Sequence, residues 1–316
     1  MEEAFAVRPG TRPPDRLQRV KGLTYGEFIQ RYERPGIPVI IEDAISAWPA
    51  LEKWTPDFWV ERYGDRRVEI DGTPYTLREV IELATCPAED GPPPYYHGIR
   101  IGKEYPELGD DLQPYPSCSS PNWFLSPMFS PLKRSYIGCG EYELFIGGLG
   151  RSFPYLHYDF PNSHTFIHQV QGRKLFMMFA PSDAPYLYPK SGRRFQVSRI
   201  PDVENVSLDE YPRFRQATRI DTELGPGDTL FMPPGWWHTA RMLSFSVSVG
   251  IDVANETNWH EVSKFLKIKA KGRLGPLAGV FNCYLDLGAA YLRRTSRVSP
   301  DSAAASGPAA SKKGRS

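Results

Sequence analysis

His157-Tyr158-Asp159 sets an imidazole and a carboxylate two residues apart. On an extended strand, residues i and i+2 share one face, about 7 Å apart along the backbone, so both donors can turn toward one small ion. A lone His-x-Asp pair is common and carries little weight. A second feature follows 79 residues after Asp159. Gly225-Pro226-Gly227-Asp228 reads as a tight turn, Thr229–Met232 as a strand and Pro233-Pro234-Gly235 as another turn, and His238 then opens a late strand. A histidine delivered in this way can meet an earlier strand inside a barrel. Two histidines and one carboxylate form the facial set that holds non-haem Fe(II) and leaves coordination positions open. Those positions let a co-substrate and O2 reach the same ion.

Lys174 is the third feature. It follows the turn Gln171-Gly172-Arg173 and leads into the apolar run Leu175-Phe176-Met177-Met178-Phe179. A lysine entering a buried strand is costly unless it meets an anion, and the carboxylate of a bound 2-oxo acid would satisfy it. The plain alternative is a lysine that snorkels to solvent. His97, His164, His168 and His260 are surplus to this set and read as packing residues; strand parity does not decide which way His168 faces. Trp236 and Trp237 read as packing beside the metal strand.

The positioning elements are mostly strands. Tyr142–Ile146, His164–Val170, Lys174–Phe179, Thr229–Met232 and Ser244–Ile251 are short, apolar or alternating, and bounded by Gly, Pro or Asp. Many short strands with turn signals predict a sandwich or barrel. The N-terminal part is more helical. Thr24 with Glu27 forms a capping-box pattern, Trp48–Tyr63 and Leu77–Ala84 read as helical, and Pro38–Glu42 and Val68–Asp71 read as strands. Residues 86–94 read as a loop, a strand begins near Tyr95-Tyr96, and residues 100–130 read as irregular. Two helices close the chain, Trp259–Lys269 and about Pro276–Arg294, the latter with proline near its start.

Composition sets limits. With 316 residues, the chain can bury a large core. A net charge of +1 gives no argument for nucleic acid as a partner. Positive charge gathers in the C-terminal stretch 293–316, which reads as a solvated tail. The four cysteines, Cys86, Cys118, Cys139 and Cys283, form no C-x-x-C pair, so neither a zinc ribbon nor a disulfide framework is expected. The first residues lack a signal-peptide pattern, and no window reaches the roughly 18 apolar residues of a membrane span. An intracellular, soluble protein is expected.

The ordered set Pro38–Ile41, Tyr142–Gly147, His157-Tyr158-Asp159, Gln169–Lys174, Gly225–Pro233 and Trp236-Trp237-His238 resembles the cupin-like JmjC oxygenases, in particular the group of the hypoxia-inducible factor asparaginyl hydroxylase. The resemblance spans about residues 24–255. It implies a mainly β fold with a double-stranded β-helix (cupin, jelly-roll) core, a helical N-terminal region and C-terminal helices. It implies Fe(II) held by His157, Asp159 and His238, with 2-oxoglutarate and O2 as co-substrates. Lys174 would bind the far carboxylate of 2-oxoglutarate, and Thr165, Tyr96 and Ser248 would help to hold it, with Ser246 and Ser248 alternating inward. The chain departs from the family pattern at Pro154, in the 15-residue gap from Asp159 to Lys174, and in having no Asn within 244–250. The implied division is a lead-in over 1–22, a catalytic domain over 23–255, a helical region over 256–295 and a basic tail over 296–316. The expected activity is hydroxylation of a C–H bond on a protein side chain. A small molecule, an RNA base and a non-catalytic cupin scaffold are the alternatives, and a homodimer through the C-terminal helices is an expected assembly.

Overall fold

The computed structural model describes residues 16–86, 91–129 and 140–295. Its strands are β1 Gln18–Val20, β2 Val39–Ile41, β3 Arg67–Ile70, β4 Thr73–Thr76, β5 Tyr96–Arg100, β6 Glu143–Gly147, β7 His164–Gln171, β8 Lys174–Phe179, β9 Arg219–Leu224, β10 Thr229–Met232, β11 Trp237–Met242 and β12 Ser246–Val253. Its α-helices are α1 Tyr25–Phe28, α2 Ala50–Lys53, α3 Pro56–Tyr63, α4 Leu77–Thr85, α5 Ile101–Glu104, α6 Trp259–Leu274 and α7 Ala278–Thr295.

Seven strands form one sheet in the order β1-β2-β10-β7-β12-β6-β5, and three form a second in the order β11-β8-β9. Side-chain alternation gives the large sheet two different faces. Phe166 and Val170 of β7, Leu144 and Ile146 of β6, and Val247, Val249, Ile251 and Val253 of β12 face outward into an apolar core. The N-terminal helices and their connecting turns cover that core with Phe28, Trp48, Trp54 and Trp59. The alternate residues face the small sheet, where Ile167, Phe176, Met178, Leu224, Leu230, Met232 and Ala240 form a second core. Two facing sheets with the site residues on their inner faces make the expected jelly-roll, a double-stranded β-helix.

Local chemistry explains the boundaries. The Thr24 hydroxyl accepts from the Glu27 amide at 3.3 Å, and the Glu27 carboxylate accepts from the Thr24 amide at 3.0 Å, closing the capping box. Helical turns continue from α1 through a π segment, Ile29–Glu33. The stretch read as one helical region over 48–63 is two helices. Thr55 caps α3 by accepting from the Phe58 amide at 3.2 Å, and so separates it from α2. At the β7–β8 turn Gly172 has φ +68°, and a Cβ there would lie 1.7 Å from the Phe245 carbonyl oxygen. Only glycine fits the turn that launches Lys174.

Several expectations need correction. The lead-in expected over 1–22 contains β1, which pairs in parallel with β2. Its Arg19 bonds Glu42 at 2.7 Å and Asp228 at 2.6 Å, which ties it to the sheet. β4 and β9 lie in segments that the alternation of apolar residues did not mark. Residues 100–130 contain α5 and several short 3-10 turns. The tail over 296–316 and Cys139 fall outside the described residues. Among the described residues, no helix is long and apolar enough to cross a membrane.

Candidate metal centre

His157 was expected on a strand with Asp159. It lies instead on an extended segment outside the named strands. Single bridges join it to His238 of β11 on one side and to Val197 on the other. Its amide donates to the His238 carbonyl at 3.0 Å, and the His238 amide donates back at 2.6 Å. The segment therefore extends the edge of the small sheet beyond β11 and sets two imidazoles side by side, with ring centroids 4.5 Å apart. The Phe153 ring stacks on His157 at 4.6 Å.

Asp159 completes the set. Its Oδ1 lies 3.6 Å from His157 Nε2 and its Oδ2 lies 3.6 Å from His238 Nε2. One donor atom from each residue falls within 4.8 Å of the others. Each histidine turns its Nδ1 to a carbonyl that can only accept, His157 to Tyr155 at 3.2 Å and His238 to Trp236 at 3.1 Å. Nδ1 therefore carries the proton, and Nε2 presents its lone pair to the gap. Burial keeps the His238 imidazole neutral by lowering its pKa to about 4. For Asp159, burial alone would raise the carboxyl pKa. The facing imidazoles and the Thr165 hydroxyl outweigh it and hold the group well below the ordinary carboxylate range. Two imidazoles and one ionised carboxylate, each with a donor atom turned to the same gap, fit Fe(II).

Around this set the interior is acidic. Thr165, expected beside the co-substrate, has its Oγ1 2.7 Å from Asp159 Oδ2 and 3.1 Å from Asp252 Oδ1. The β7–β12 register opposes Thr165 to Asp252, at the far end of β7 from Lys174. A hydroxyl has one proton, and ionised Asp159 is the stronger acceptor. Burial, and then repulsion from Asp159 and Glu143, pushes the Asp252 carboxyl well above its ordinary range. Glu143 of β6 faces the same interior and is raised to about 7, first by burial and then by Asp159.

The other end of the interior is built around Lys174, which is 3 % exposed. Its Nζ donates to the Ser248 hydroxyl at 2.6 Å. The rings of Phe145 and Tyr95 stand at 5.7 and 5.9 Å. Among the described residues, no carboxylate pairs with it, and burial lowers its pKa to about 7. A buried amine with a hydroxyl partner and no counter-ion fits the anionic end of a 2-oxo acid. Ser246 lies on the same face and accepts from Gln169 Nε2 at 2.9 Å.

Tyr96 is a correction. Its register partner is Ile146, whose side chain faces the outer core. The Tyr96 hydroxyl meets Tyr105 there, at 3.1 Å. The preceding residue, Tyr95, takes the interior face, beside Lys174. The parity of β5 against β6 separates the two. Sequence reasoning also missed Glu143 and Asp252. Asp252 sits an even number of residues after Ser246 and Ser248, so extending the strand to Val253 would have found it. His168, left undecided by parity, faces the outer core. Its Nδ1 is 2.9 Å from Thr229 Oγ1 and its ring is 4.8 Å from that of Trp48.

With this geometry in place, the chain can be set beside known proteins. Residues 81–265 match the model of the cupin-like domain family. A "Lysine-specific demethylase JMJ30" of Arabidopsis thaliana is 29 % identical over 247 residues, covering 76 % of this chain and 55 % of that protein. An "Arginine-specific demethylase JMJ22" of the same plant is 25 % identical over 264 residues, covering 83 % and 50 %. The human "tRNA wybutosine-synthesizing protein 5" is 26 % identical over 265 residues, covering 74 % and 76 %. The chain thus spans about half the length of the two plant relatives and three quarters of the human one.

Proposed function

This chain belongs to the cupin-like domain family, and on that premise we propose that it is an Fe(II)- and 2-oxoglutarate-dependent dioxygenase that hydroxylates a C–H bond. The observation that carries the reading is a facial His157–Asp159–His238 set on the same inner faces of the two sheets as Lys174, a buried amine that meets no carboxylate among the described residues. When bound, iron with O2 and 2-oxoglutarate supplies the oxidising power that replaces C–H by C–OH, leaving succinate and CO2. The chain's own residues do the rest. Trp236 and Tyr155 carbonyls orient the imidazoles, Thr165 orients Asp159, and Lys174 with Ser248 receives the far carboxylate of 2-oxoglutarate. Phe176, Met178 and Ala240 keep the interior dry.

A protein side chain is the first reading for the substrate, because the two plant relatives are named as demethylases of lysine and arginine. Glu143 and Asp252 beside the metal set suit a group rich in N–H donors. An RNA base is the second reading, favoured by the human relative of similar length, whose name places it on tRNA. The test is succinate formation from 2-oxoglutarate by the purified protein under O2 with Fe(II), beside His157→Ala. Succinate that vanishes in the variant supports the reading. Absence of both turnover and Fe(II)-dependent 2-oxoglutarate binding would leave the non-catalytic cupin.

We also propose a homodimer through α7. Leu277 just before the helix and Val280, Leu287 and Tyr291 on it are 53–69 % exposed, and Cys283 between them is exposed too. Their spacing is nearly symmetric about Cys283 and Tyr284. An antiparallel second copy would set Val280 against Leu287 and close the stripe on itself, as a two-fold interface requires. Mass measurement in solution, with Leu287→Glu giving the monomer, checks this; a monomeric parent protein refutes it.

A further inference from the structure

The chain's charge is +1 in total, yet it is unevenly placed. Residues 188–199 carry Lys190, Arg193, Arg194 and Arg199 with no acid, and α6 brings Lys269 beside them, while Lys267 of the same helix pairs with Asp286 at 2.7 Å. Both border the metal centre. The backbone of the basic tract pairs with the segment that holds His157. The Tyr158 amide donates to the Gln196 carbonyl at 3.1 Å, and the Ser198 amide donates to the Leu156 carbonyl at 2.9 Å. α6 docks on the same place. Its Phe265 ring meets Tyr158, Phe160 and Phe195. Lys269 of α6 donates to the Arg193 carbonyl and to Gln196 Oε1, with its ammonium 4.8 Å from the Phe195 ring centre. Arg193, Arg194 and Arg199 are exposed.

An aromatic ring joins this face to the metal set. Tyr155, 38 % exposed, lies edge-on to His157 at 5.1 Å and to Phe153 at 5.0 Å. The tract lies beside it, since Ser198 pairs with Leu156 and Val197 bridges His157. The next segment holds Asp202, Glu204, Asp209 and Glu210; of these Glu204 pairs with Arg241 at 2.9 Å, and Asp202 accepts from Asn205 at 2.8 Å.

We propose that the face formed by residues 190–199 and Lys269 binds the phosphodiester backbone of single-stranded RNA, holding a base over Tyr155 at the opening of the metal centre. Two features favour a nucleic acid over an acidic peptide. Arginines dominate the tract, and their planar forks match phosphate oxygens. An exposed ring beside a positive surface is how sequence-tolerant binders hold an unstacked base. The proposal takes the second of the two substrate readings above, and it rests on the oxygenase reading only for what happens to the base after docking.

The experiment uses the full chain and a fluorescein-labelled, mixed-sequence 12-nucleotide RNA, read by anisotropy from 50 to 300 mM salt. A glutamate-rich peptide of equal charge is the competitor. The variant is Lys190→Glu/Arg193→Glu/Arg194→Glu, with circular dichroism and succinate formation without RNA as checks on the fold and the metal centre. We expect binding that the variant weakens at least tenfold at 100 mM salt, a log–log salt slope smaller by about 2 for three lost phosphate contacts, and unchanged succinate formation. No binding by the parent protein, binding the variant retains, or equal competition by the peptide would overturn the proposal; the last would put an acidic protein on this face. Loss of RNA-free succinate formation in the parent protein would instead count against the oxygenase reading, whatever the RNA does.

Discussion

At one end of the interior, Asp159, Asp252 and Glu143 gather beside two imidazoles; at the other, Lys174 stands among Ser248, Phe145 and Tyr95. The same strands supply both ends, since β12 carries Asp252 and Ser248 and β6 carries Glu143 and Phe145 on one face. Yet burial acts on them in opposite senses. It pushes the acids up, Glu143 to about 7, and the amine down, also to about 7. Asp159 alone is held firmly ionised, because it faces the imidazoles and Thr165. The free protein thus mutes the charges it does not yet use, and a dicarboxylate or a metal would restore them.

The largest expected effect comes from breaking the metal end. Asp159→Ala should reduce metal affinity by more than the roughly 100-fold upper range of outer-shell changes, and succinate formation to background; titration with Mn(II) followed by electron paramagnetic resonance reads the first. Next is Lys174→Met. Removing one partner of a buried ion pair costs about 3–5 kcal/mol, so the KM for 2-oxoglutarate should rise a hundredfold or more, with metal affinity unchanged. If metal affinity falls as well, the two ends are not independent. The same variant should melt higher than the parent protein without ligand. The folded pKa of Lys174 is depressed, so the unfolded chain binds more protons between about pH 7 and the ordinary lysine range. Stability therefore rises with pH across that window, and the variant should lose the dependence.

Smaller effects sharpen the contrast. Thr165→Val should lower metal affinity about tenfold and leave the KM for 2-oxoglutarate unchanged at saturating metal. Affinity for 2-oxoglutarate should be flat below pH 7 and fall by up to tenfold per unit above it, as Lys174 loses its proton. A flat profile to pH 9 would mean that the amine is not the group that binds. Ser248→Ala removes one hydrogen bond, worth about 1 kcal/mol, and should raise the same KM only a few-fold.

The metal set and Lys174 were legible because several individually weak signals follow one another in a specific order, and the turns around them are marked by Gly and Pro. β6, β7, β8, β10 and β12 were legible from their apolar runs. β9, Arg-Ile-Asp-Thr-Glu-Leu, was not, because its outward residues are charged and only Ile220 and Leu224 are buried. The exchange of Tyr95 for Tyr96 was invisible for another reason: parity flips with a one-residue shift of register, and the register is fixed by Ile146 across the sheet. The basic face was hidden by summing charge over the whole chain instead of by segment.

Two of the three proposed ligands, His157 and Asp159, belong to a segment held by single bridges, whereas His238 is part of β11. An ion shared among them would rivet that segment to the barrel. Residues 152–163 should therefore be where a protease first nicks the metal-free chain, and where exchange of amide hydrogens slows most when metal is added. The metal then sets the lifetime of the folded edge as well as the chemistry inside it.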